Sequence, residues 1–169
     1  PIRPFLDHQN IFILDGGLAT ELEKRRHNLS DPLWSAKILL EQPDAIRQVH
    51  SAYLHAGADC VISSSYQASL PRLMTRGLSQ DEAADLIRFS VQLAIEARDQ
   101  FWAIMANRRR RLRPLVAASV GPYGAYLADG SEYTGAYDQD ETGLLAWHRP
   151  RWQILAQSGA DLLACETIP

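Results

Sequence analysis

The sequence predicts an α/β protein in which strand-helix units repeat around a parallel sheet. Short apolar runs alternate with long amphipathic stretches, and no two runs are joined by the tight turn of a β-hairpin. Four apolar runs begin about 50 residues apart, at positions 11, 59, 115 and 161. Such units form either a small open doubly wound sheet or half of a (β/α)8 barrel. The wide spacing favours the barrel family, of which this chain covers about the first half, as four parallel strands with their helices.

The first strand is predicted at residues 11–14, which are apolar without interruption. Asp15-Gly16-Gly17 follows at once and indicates a tight turn. A continuous apolar run is typical of a strand that is buried on both faces, and we expect this burial here.

Two helices are predicted between the first and second strands. Ser30 can cap a helix that has Pro32 in its first turn, and Pro43 begins a second helix that Gly57 ends. The second strand follows within residues 59–66 and runs into Ser63-Ser64-Ser65. Hydroxyls at this end indicate the edge of a site.

The third unit begins with a capping box, in which Ser79 is followed three residues later by Glu82. Apolar and small residues then recur at helical spacing along one face: Ala83, Leu86, Ile87, Ser90, Ala94, Ala97 and Phe101. The third strand is Leu115–Val120, ended by Gly121-Pro122. The loop of about twenty residues after it is long enough to suggest a functional role.

The last unit is a helix over about 144–157 followed by a strand at 161–165. Pro150 lacks a backbone donor, so we expect the helix to kink or to begin there. Glu166 follows the strand directly.

Length and composition favour one domain over residues 1–169. Of the 169 residues, 46% are hydrophobic and 22% are charged, and the formal net charge of −3 provides no field that would gather nucleic acid or an anionic membrane. Neither a membrane-spanning apolar stretch nor a signal peptide is evident, so we expect a cytoplasmic protein with small-molecule partners. Cys60 and Cys165 lie in apolar runs and are expected to be small buried thiols without a disulfide.

Two carboxylates stand at the carboxyl ends of predicted strands, Asp15 after the first and Glu166 after the fourth. In a barrel these ends share the face that carries the active site, so the two side chains are expected to converge. The pair suits either acid/base chemistry, as in glycoside cleavage, or the binding of a cation such as a substrate ammonium. In the alternative structural role, each residue caps the helix that follows it.

Other residues near the strand ends extend this hypothesis. Gly16-Gly17 can bring backbone N–H groups close to a carboxylate or a phosphate. Aromatic rings in or near these loops could hold an onium cation or serve only in packing: Trp34, Tyr66, Tyr123, Tyr126, Tyr133 and Tyr137. The sequence has no nucleotide-binding glycine motif, HExxH or CxxC, and His50 and His55 on an outer helix are expected to be solvated or packed.

Several segments occur in order across the chain and together resemble the homocysteine S-methyltransferase family, most closely the enzymes that use S-methylmethionine. They are Ile13-Leu14-Asp15-Gly16-Gly17-Leu18-Ala19-Thr20-Glu21-Leu22, Asp31-Pro32-Leu33-Trp34-Ser35-Ala36, Ser65-Tyr66-Gln67-Ala68, Ser119-Val120-Gly121-Pro122-Tyr123-Gly124-Ala125 and Ala164-Cys165-Glu166-Thr167. The resemblance implies a (β/α)8 barrel, zinc held by three cysteine thiolates, and methyl transfer from a sulfonium donor to homocysteine to give methionine.

The resemblance also implies roles for individual residues. Asp15 and Glu166 would hold the homocysteine ammonium, and backbone amides near Gly16 and Gly17 would meet its carboxylate. Trp34 and Tyr66 match aromatic positions on the methyl-donor side. No catalytic residue is assigned within this chain.

Two departures from the family pattern qualify the expected activity. Neither Cys60 nor Cys165 matches a zinc position, and the family's zinc cysteines are expected in a later half, so this chain is expected to be inactive alone. Arg26 stands where close relatives commonly have glycine. The rival hypotheses are a non-catalytic half-barrel or interaction module that self-associates through exposed sheet edges, and part of a methyltransferase that uses betaine or a folate.

Overall fold

A parallel sheet forms the centre of the computed structural model, which describes residues 1–30 and 34–169 and the side chains of 1–30 and 37–169. In these residues the sheet has three strands, β1 (Cys60–Ile62), β2 (Leu115–Val120) and β3 (Leu162–Cys165), in the order β1-β2-β3. Val61 lies opposite Val116, and Ser119 lies opposite Ala164. The parallel strands predicted around positions 60, 115 and 161 are therefore confirmed.

The first predicted strand is reduced to a single parallel bridge between Leu14 and Cys60. The expectation that this segment is buried on both faces is wrong, since Ile13 is 43% exposed and Leu14 is 53% exposed. The physical reason is that the segment pairs with β1 on one side, while no described strand lies on its other side. The Asp15 N–H still donates to the Cys60 carbonyl at 3.0 Å, so the parallel alignment extends to the end of the segment.

Helices connect and cover these strands. They are α1 (Arg3–Gln9), α2 (Leu18–Lys24), α3 (Trp34–Glu41), α4 (Pro43–Ala56), α5 (Leu70–Met74), α6 (Gln80–Ala103), α7 (Tyr123–Leu127) and α8 (Glu141–Ala156), with 3-10 turns at Met105–Arg108 and Ser131–Tyr133. In the parts of the chain that the structure describes, none of these helices has the length and apolar character needed to cross a lipid bilayer.

Most of the predicted helix signals are confirmed. Pro43 is the first residue of α4, and Gly57 ends α4 with φ of 114°. The capping box of α6 is formed, because the Ser79 N–H donates to Glu82 Oε2 at 2.8 Å and the Glu82 N–H donates to Ser79 Oγ at 3.3 Å. The helix start predicted at Ser30 and Pro32 falls on residues 31–33, outside the described residues.

The start of α8 and the end of α2 have features that the sequence pattern does not predict. α8 does not begin at Pro150, since the Asp140 side chain caps the helix by accepting from the Gly143 N–H at 2.8 Å and the helix continues through the proline. α2 ends in a residue with left-handed backbone, Arg26, at φ of 66°. The Arg26 N–H donates to the Glu23 carbonyl and the His27 N–H donates to the Leu22 carbonyl, which is the hydrogen-bond pattern of a Schellman cap.

The core lies between the sheet and the helices packed on it, mainly α4, α6 and α8. Every residue of the predicted apolar face of α6 is buried: Ala83, Leu86, Ile87, Ser90, Ala94, Ala97 and Phe101. Each large aliphatic side chain buried in this way contributes about 1.5–3 kcal/mol relative to leaving it in water. This packing fixes the strands, and with them the loops that follow their carboxyl ends.

Candidate functional site

A cavity of about 650 Å³ opens at the carboxyl ends of the strands. It is lined by residues 14–19, 62–64, 66, 67, 119, 132, 133, 166 and 167. Five of the six predicted substrate-binding residues belong to this lining: Asp15, Gly16, Gly17, Tyr66 and Glu166. The sixth, Trp34, is the first residue of α3, and its side chain is outside the described residues.

Asp15 is half-buried at the start of the turn after the bridge residue Leu14. Its Oδ2 accepts a hydrogen bond from the Ile62 N–H at 2.9 Å, which fixes the carboxyl group against the end of β1. Burial raises the pKa of Asp15 to about 7, the Ile62 hydrogen bond opposes this rise, and the negative charge of Glu166 adds to it. A cation placed beside Asp15 would relieve both unfavourable effects.

Glu166 is held on the other side of the cavity by Ser119. The Ser119 hydroxyl donates to Glu166 Oε1 at 2.5 Å. The backbone of Ser119 is held in turn by the serines that follow β1: its N–H donates to Ser63 Oγ at 3.1 Å, and its carbonyl accepts from Ser65 Oγ at 2.8 Å. The hydroxyls that the sequence places at the end of the second strand thus position a carboxylate two strands away.

The glycine pair lies between Asp15 and α2. The Tyr53 hydroxyl donates to the Gly17 carbonyl at 3.2 Å and lies where a side chain at Gly16 would begin. Gly16 and Gly17 both line the cavity, so their backbone borders the space available to a ligand.

Tyr66 reaches the cavity from the loop after β1. Burial raises the pKa of Tyr66, a hydrogen bond with Thr167 lowers it, and the charges of Glu132, Tyr133 and Glu166 raise it further. The loop lies directly against the end of β2, where a Cβ at Gly121 would overlap the Tyr66 carbonyl. Only glycine permits this close approach.

The other predicted aromatic residues divide into two groups. Tyr133 lines the cavity with Tyr66. Tyr123, Tyr126 and Tyr137 do not line it, because they pack into an aromatic cluster with Trp147, where the Tyr123 and Trp147 ring centroids are 5.2 Å apart. Packing is therefore their role in this structure.

Three further polar residues line the cavity: Ser64 and Thr167 lie in segments that the sequence highlights, and Glu132 does not. Glu132 enters from the Ser131–Tyr133 turn, and its Oε2 is buried without a hydrogen-bond partner. Ser64 Oγ is likewise buried and unpartnered. Thr167 has φ of 53°, a left-handed backbone that is unfavourable for a β-branched residue and is often found at functional sites. The long loop after β2 was the one sequence signal that pointed toward Glu132.

The described residues do not provide a zinc site. Cys60 is fully buried and burial raises its pKa to about 12, which disfavours the thiolate that zinc requires. The expectation that Cys165 is buried is wrong, because it lies exposed at the end of β3, an outer strand of the described sheet. Among the residues that the structure describes, no three His, Cys, Asp or Glu side chains are grouped in a way that would hold a metal ion. His50 is buried in α4 with both ring nitrogens unpartnered, so it packs away from the cavity.

Comparisons with known proteins agree on one family. A family model described as homocysteine S-methyltransferase matches residues 12–169. The chain is 56% identical to the homocysteine S-methyltransferase YbgG of Bacillus subtilis (strain 168) and 53% identical to the homocysteine S-methyltransferase of Escherichia coli (strain K12), in each case over 100% of this chain and 54% of the relative.

A structural comparison extends this agreement to the fold. The crystal structure of the metallated form of the homocysteine methyltransferase MmuM from Escherichia coli matches with a TM-score of 0.93 at 53% identity, covering 100% of this chain and 58% of that one. The prediction that the chain covers about half of a (β/α)8-barrel protein is confirmed. The chain spans about half the length of the curated relatives it matches.

Proposed function

From the premise that the chain belongs to the homocysteine S-methyltransferase family, we propose that its cavity binds homocysteine for methyl transfer from S-methylmethionine or a similar sulfonium donor. The product would be methionine. The observation that carries the proposal is the convergence of Asp15 and Glu166 on one cavity, where both contribute to an unfavourable concentration of negative charge.

The two carboxylates suit the ammonium group of a small amino acid. With nothing bound, the pKa of Asp15 is raised to about 7, so ionising both groups is costly at neutral pH. An ammonium between them supplies the missing positive charge and donates hydrogen bonds to both. The amino acid's carboxylate would then meet the backbone N–H groups around Gly16 and Gly17, which line the same cavity.

Of the two uses that the sequence left open for this pair, cation binding is the better supported. Glu166 accepts a 2.5 Å hydrogen bond from Ser119 and Asp15 accepts one from Ile62, so both carboxylates are oriented by the strand ends. Two oriented carboxylates with negative charge suit a bound ammonium group. The family to which the chain belongs suggests that the ligand carrying this ammonium is homocysteine.

Methyl transfer in this cavity would be an in-line displacement. The homocysteine sulfur forms a bond to the methyl carbon while the bond from that carbon to the donor's positively charged sulfur breaks, and its electron pair remains on the donor sulfur. The homocysteine thiol loses its proton, so the products carry one positive charge less on sulfur and one proton is released. The residues described here would hold and orient the two reactants and exclude water.

Zinc stays a proposal for the longer proteins of the family. The described residues do not fit a zinc ion, since Cys60 is an inaccessible thiol and no ligand set surrounds Cys165. We therefore assign no step of the reaction to a metal in this part of the chain, and we expect it to bind homocysteine without transferring the methyl group.

Calorimetric titration with homocysteine tests the binding proposal. Wild type should bind homocysteine and should bind the analogue that lacks the amino group at least about tenfold more weakly, because a charge-assisted contact is worth about 1.5–3 kcal/mol. The D15N/E166Q double variant should lose this discrimination. Glu23→Gln, which removes an exposed carboxylate from α2 outside the cavity, serves as the matched control. Equal affinity of wild type for both ligands would disprove the assignment.

A donor panel with an intact relative tests the second half of the proposal. Methyl transfer from S-methylmethionine supports it, while transfer only from betaine or a methylated folate would favour the alternative donors. Significant methionine formation by this chain alone would show that the expectation of inactivity is wrong.

The rival role, self-association through an open sheet edge, rests on the exposure of the segment beside β1. Ile11, Ile13 and Leu14 are each more than 40% exposed next to a strand that is paired on its other side. Exposed apolar edges favour pairing with another chain. Light scattering decides: a dimer that Leu14→Lys converts to monomer supports an interaction module, and a wild-type monomer excludes edge pairing.

The remaining proposals concern context. We treat residues 1–169 as a single domain, the N-terminal part of a homocysteine-binding barrel. A cytoplasmic location and a role in methionine biosynthesis agree with two unpaired cysteines and with a thiol substrate that must stay reduced.

A further inference from the structure

Glu132 is a third carboxylate in a cavity where Asp15 and Glu166 already suffice for one ammonium. It lines the cavity from the loop after β2, and its Oε2 is buried without a hydrogen-bond partner. A buried carboxylate oxygen without a donor is unfavourable, so this oxygen offers a ligand in the cavity a position for a positively charged group.

The position of Glu132 is fixed by the fold. A Cβ at Gly124 in α7 would overlap the backbone of Glu132, so the turn packs directly on that helix. The turn is closed by its own hydrogen bonds: the Ser131 N–H donates to Asp129 Oδ1 at 2.9 Å, and the Gly135 N–H donates to the Ser131 carbonyl at 2.9 Å. The backbone that carries Glu132 is therefore fixed against α7, and its side chain places Oε2 in a buried position.

The surroundings of Glu132 match an onium cation better than a simple ammonium. Tyr66 and Tyr133 line the same cavity, and the pKa of Tyr66 is raised first by burial and also by the charges of Glu132 and Glu166. Tyr66 thus lies within electrostatic reach of both carboxylates. A sulfonium has no N–H to donate, so it is bound by a negative charge together with aromatic faces. Ser64, 4% exposed with an unpartnered Oγ, adds a polar group to the same lining.

We infer that Glu132, with Tyr66 and Tyr133 beside it, recognises the positively charged sulfur of the methyl donor and is the residue that selects a sulfonium over a neutral thioether. The inference rests on the proposed function, because it assumes that the cavity accepts a methyl donor next to homocysteine. Glu132 acts on the donor's charge, while Asp15 and Glu166 act on the ammonium of the acceptor.

The test compares two ligands that differ only at sulfur. S-Methylmethionine carries the sulfonium, and methionine is its neutral counterpart with the same ammonium and carboxylate. Wild type, Glu132→Gln and Glu132→Asp are titrated with S-methylmethionine, methionine, homocysteine and glycine betaine. Asp138→Asn, an equal charge change at an exposed position of the same loop outside the cavity lining, is the control, and thermal unfolding verifies that each variant is folded.

Three results are expected together. Wild type binds S-methylmethionine more tightly than methionine. Glu132→Gln lowers the affinity for S-methylmethionine about tenfold, because a partly desolvated charge contact is lost. The same substitution changes the affinities for methionine and homocysteine less than about twofold. Glu132→Asp restores part of the preference, and Asp138→Asn leaves all affinities unchanged.

Other results overturn the inference in distinguishable ways. An unchanged preference for S-methylmethionine in Glu132→Gln shows that this charge is not used, and an equal loss for all ligands shows a structural role only. Wild type that binds homocysteine but not S-methylmethionine overturns the donor subsite while leaving the homocysteine proposal intact. Tighter binding of betaine than of S-methylmethionine would show that the subsite prefers a quaternary ammonium over a sulfonium. Failure of wild type to bind homocysteine refutes the proposed function itself.

Discussion

Asp15 and Glu166 line one cavity although they follow the two outermost members of a row of four parallel segments, the Leu14 bridge, β1, β2 and β3. In a flat sheet, three strand spacings would separate them by roughly 14 Å. They nevertheless line the same cavity, and the negative charge of Glu166 contributes to the raised pKa of Asp15. The convergence involves the ends of all four segments, and neither loop alone would produce it.

Homocysteine affinity should depend on pH through Asp15. The pKa of the unliganded side chain is about 7, and the ionised form is the one that attracts an ammonium, so the dissociation constant should rise about tenfold between pH 8 and pH 6. Calorimetry across this range measures it. Asp15→Asn should bind weakly with little pH dependence, and Glu23→Gln should keep the wild-type profile. A flat wild-type profile would contradict the assignment of Asp15.

Removing the Ser119 hydroxyl should weaken the site through Glu166. Ser119→Ala removes the 2.5 Å hydrogen bond to Glu166 Oε1, and we expect homocysteine affinity to fall about three- to tenfold, as for a hydrogen bond to a charged group that solvent partly replaces. Ser158→Ala removes a hydroxyl that donates to the Leu155 carbonyl away from the cavity and should have no effect on affinity. Equal losses in both variants would indicate a general destabilisation.

Arg26→Gly should stabilise the protein by about 0.5–1 kcal/mol. Arg26 has φ of 66° in the Schellman cap of α2, a conformation that costs less for glycine than for a residue with a Cβ. Chemical denaturation measures the change. Arg25→Gly is the matched control, since Arg25 has φ of −86° and glycine there should destabilise the helix end. Stabilisation by both substitutions would rule out the backbone explanation.

His50 should make stability fall in mild acid. Burial lowers the pKa of this side chain from 6.5 to about 4, so the unfolded state binds more protons between these values, and up to about 3 kcal/mol of stability is lost as the pH falls from 6.5 toward 4. His50→Leu should abolish this loss and also stabilise the protein at pH 7, because both ring nitrogens are buried without partners.

The raised pKa of Asp15 acts in the opposite direction over this whole range, since the folded state binds the extra proton between pH 3.8 and about 7. The measurement is therefore the difference in unfolding free energy between wild type and His50→Leu at each pH. His55→Gln, an exposed histidine of the same helix, should leave the slope unchanged. A difference that does not vary between pH 4 and 6.5 would contradict the prediction.

Features that depend on neighbouring residues were predictable from the sequence, and features that depend on distant packing were not. Ser79 and Glu82 form their capping box because both partners lie within one helical turn. The apolar run at 11–14 predicts a strand, but its burial depends on what covers it, and Leu14 is exposed. Asp15 and Glu166 were predictable site candidates because both directly follow strands.

Glu132 was not predictable in the same way. Its place in the cavity depends on the contact of its backbone with Gly124 and on the approach of the Tyr66 loop to Gly121, and neither contact has a sequence spacing that identifies it. Arg151 shows the same limit: it is buried in α8 and donates to the carbonyls of Tyr66, Ala68 and Gly121, and no sequence spacing identifies these contacts.

The thin attachment of the segment before Asp15 has a consequence for how the molecule fluctuates. One bridge, the hydrogen bonds of Ile13 with Asp59 and Cys60, and those of Asp15 with Cys60 and Ile62 hold this segment. Local opening there should expose its amides to hydrogen exchange before global unfolding. An amino acid that binds both Asp15 and Glu166 would connect this weakly held segment to β3 at the opposite edge of the sheet. Slower hydrogen exchange at positions 13 to 15 would therefore report directly on ligand binding. The binding affinity would be reduced by the free energy needed to order this segment.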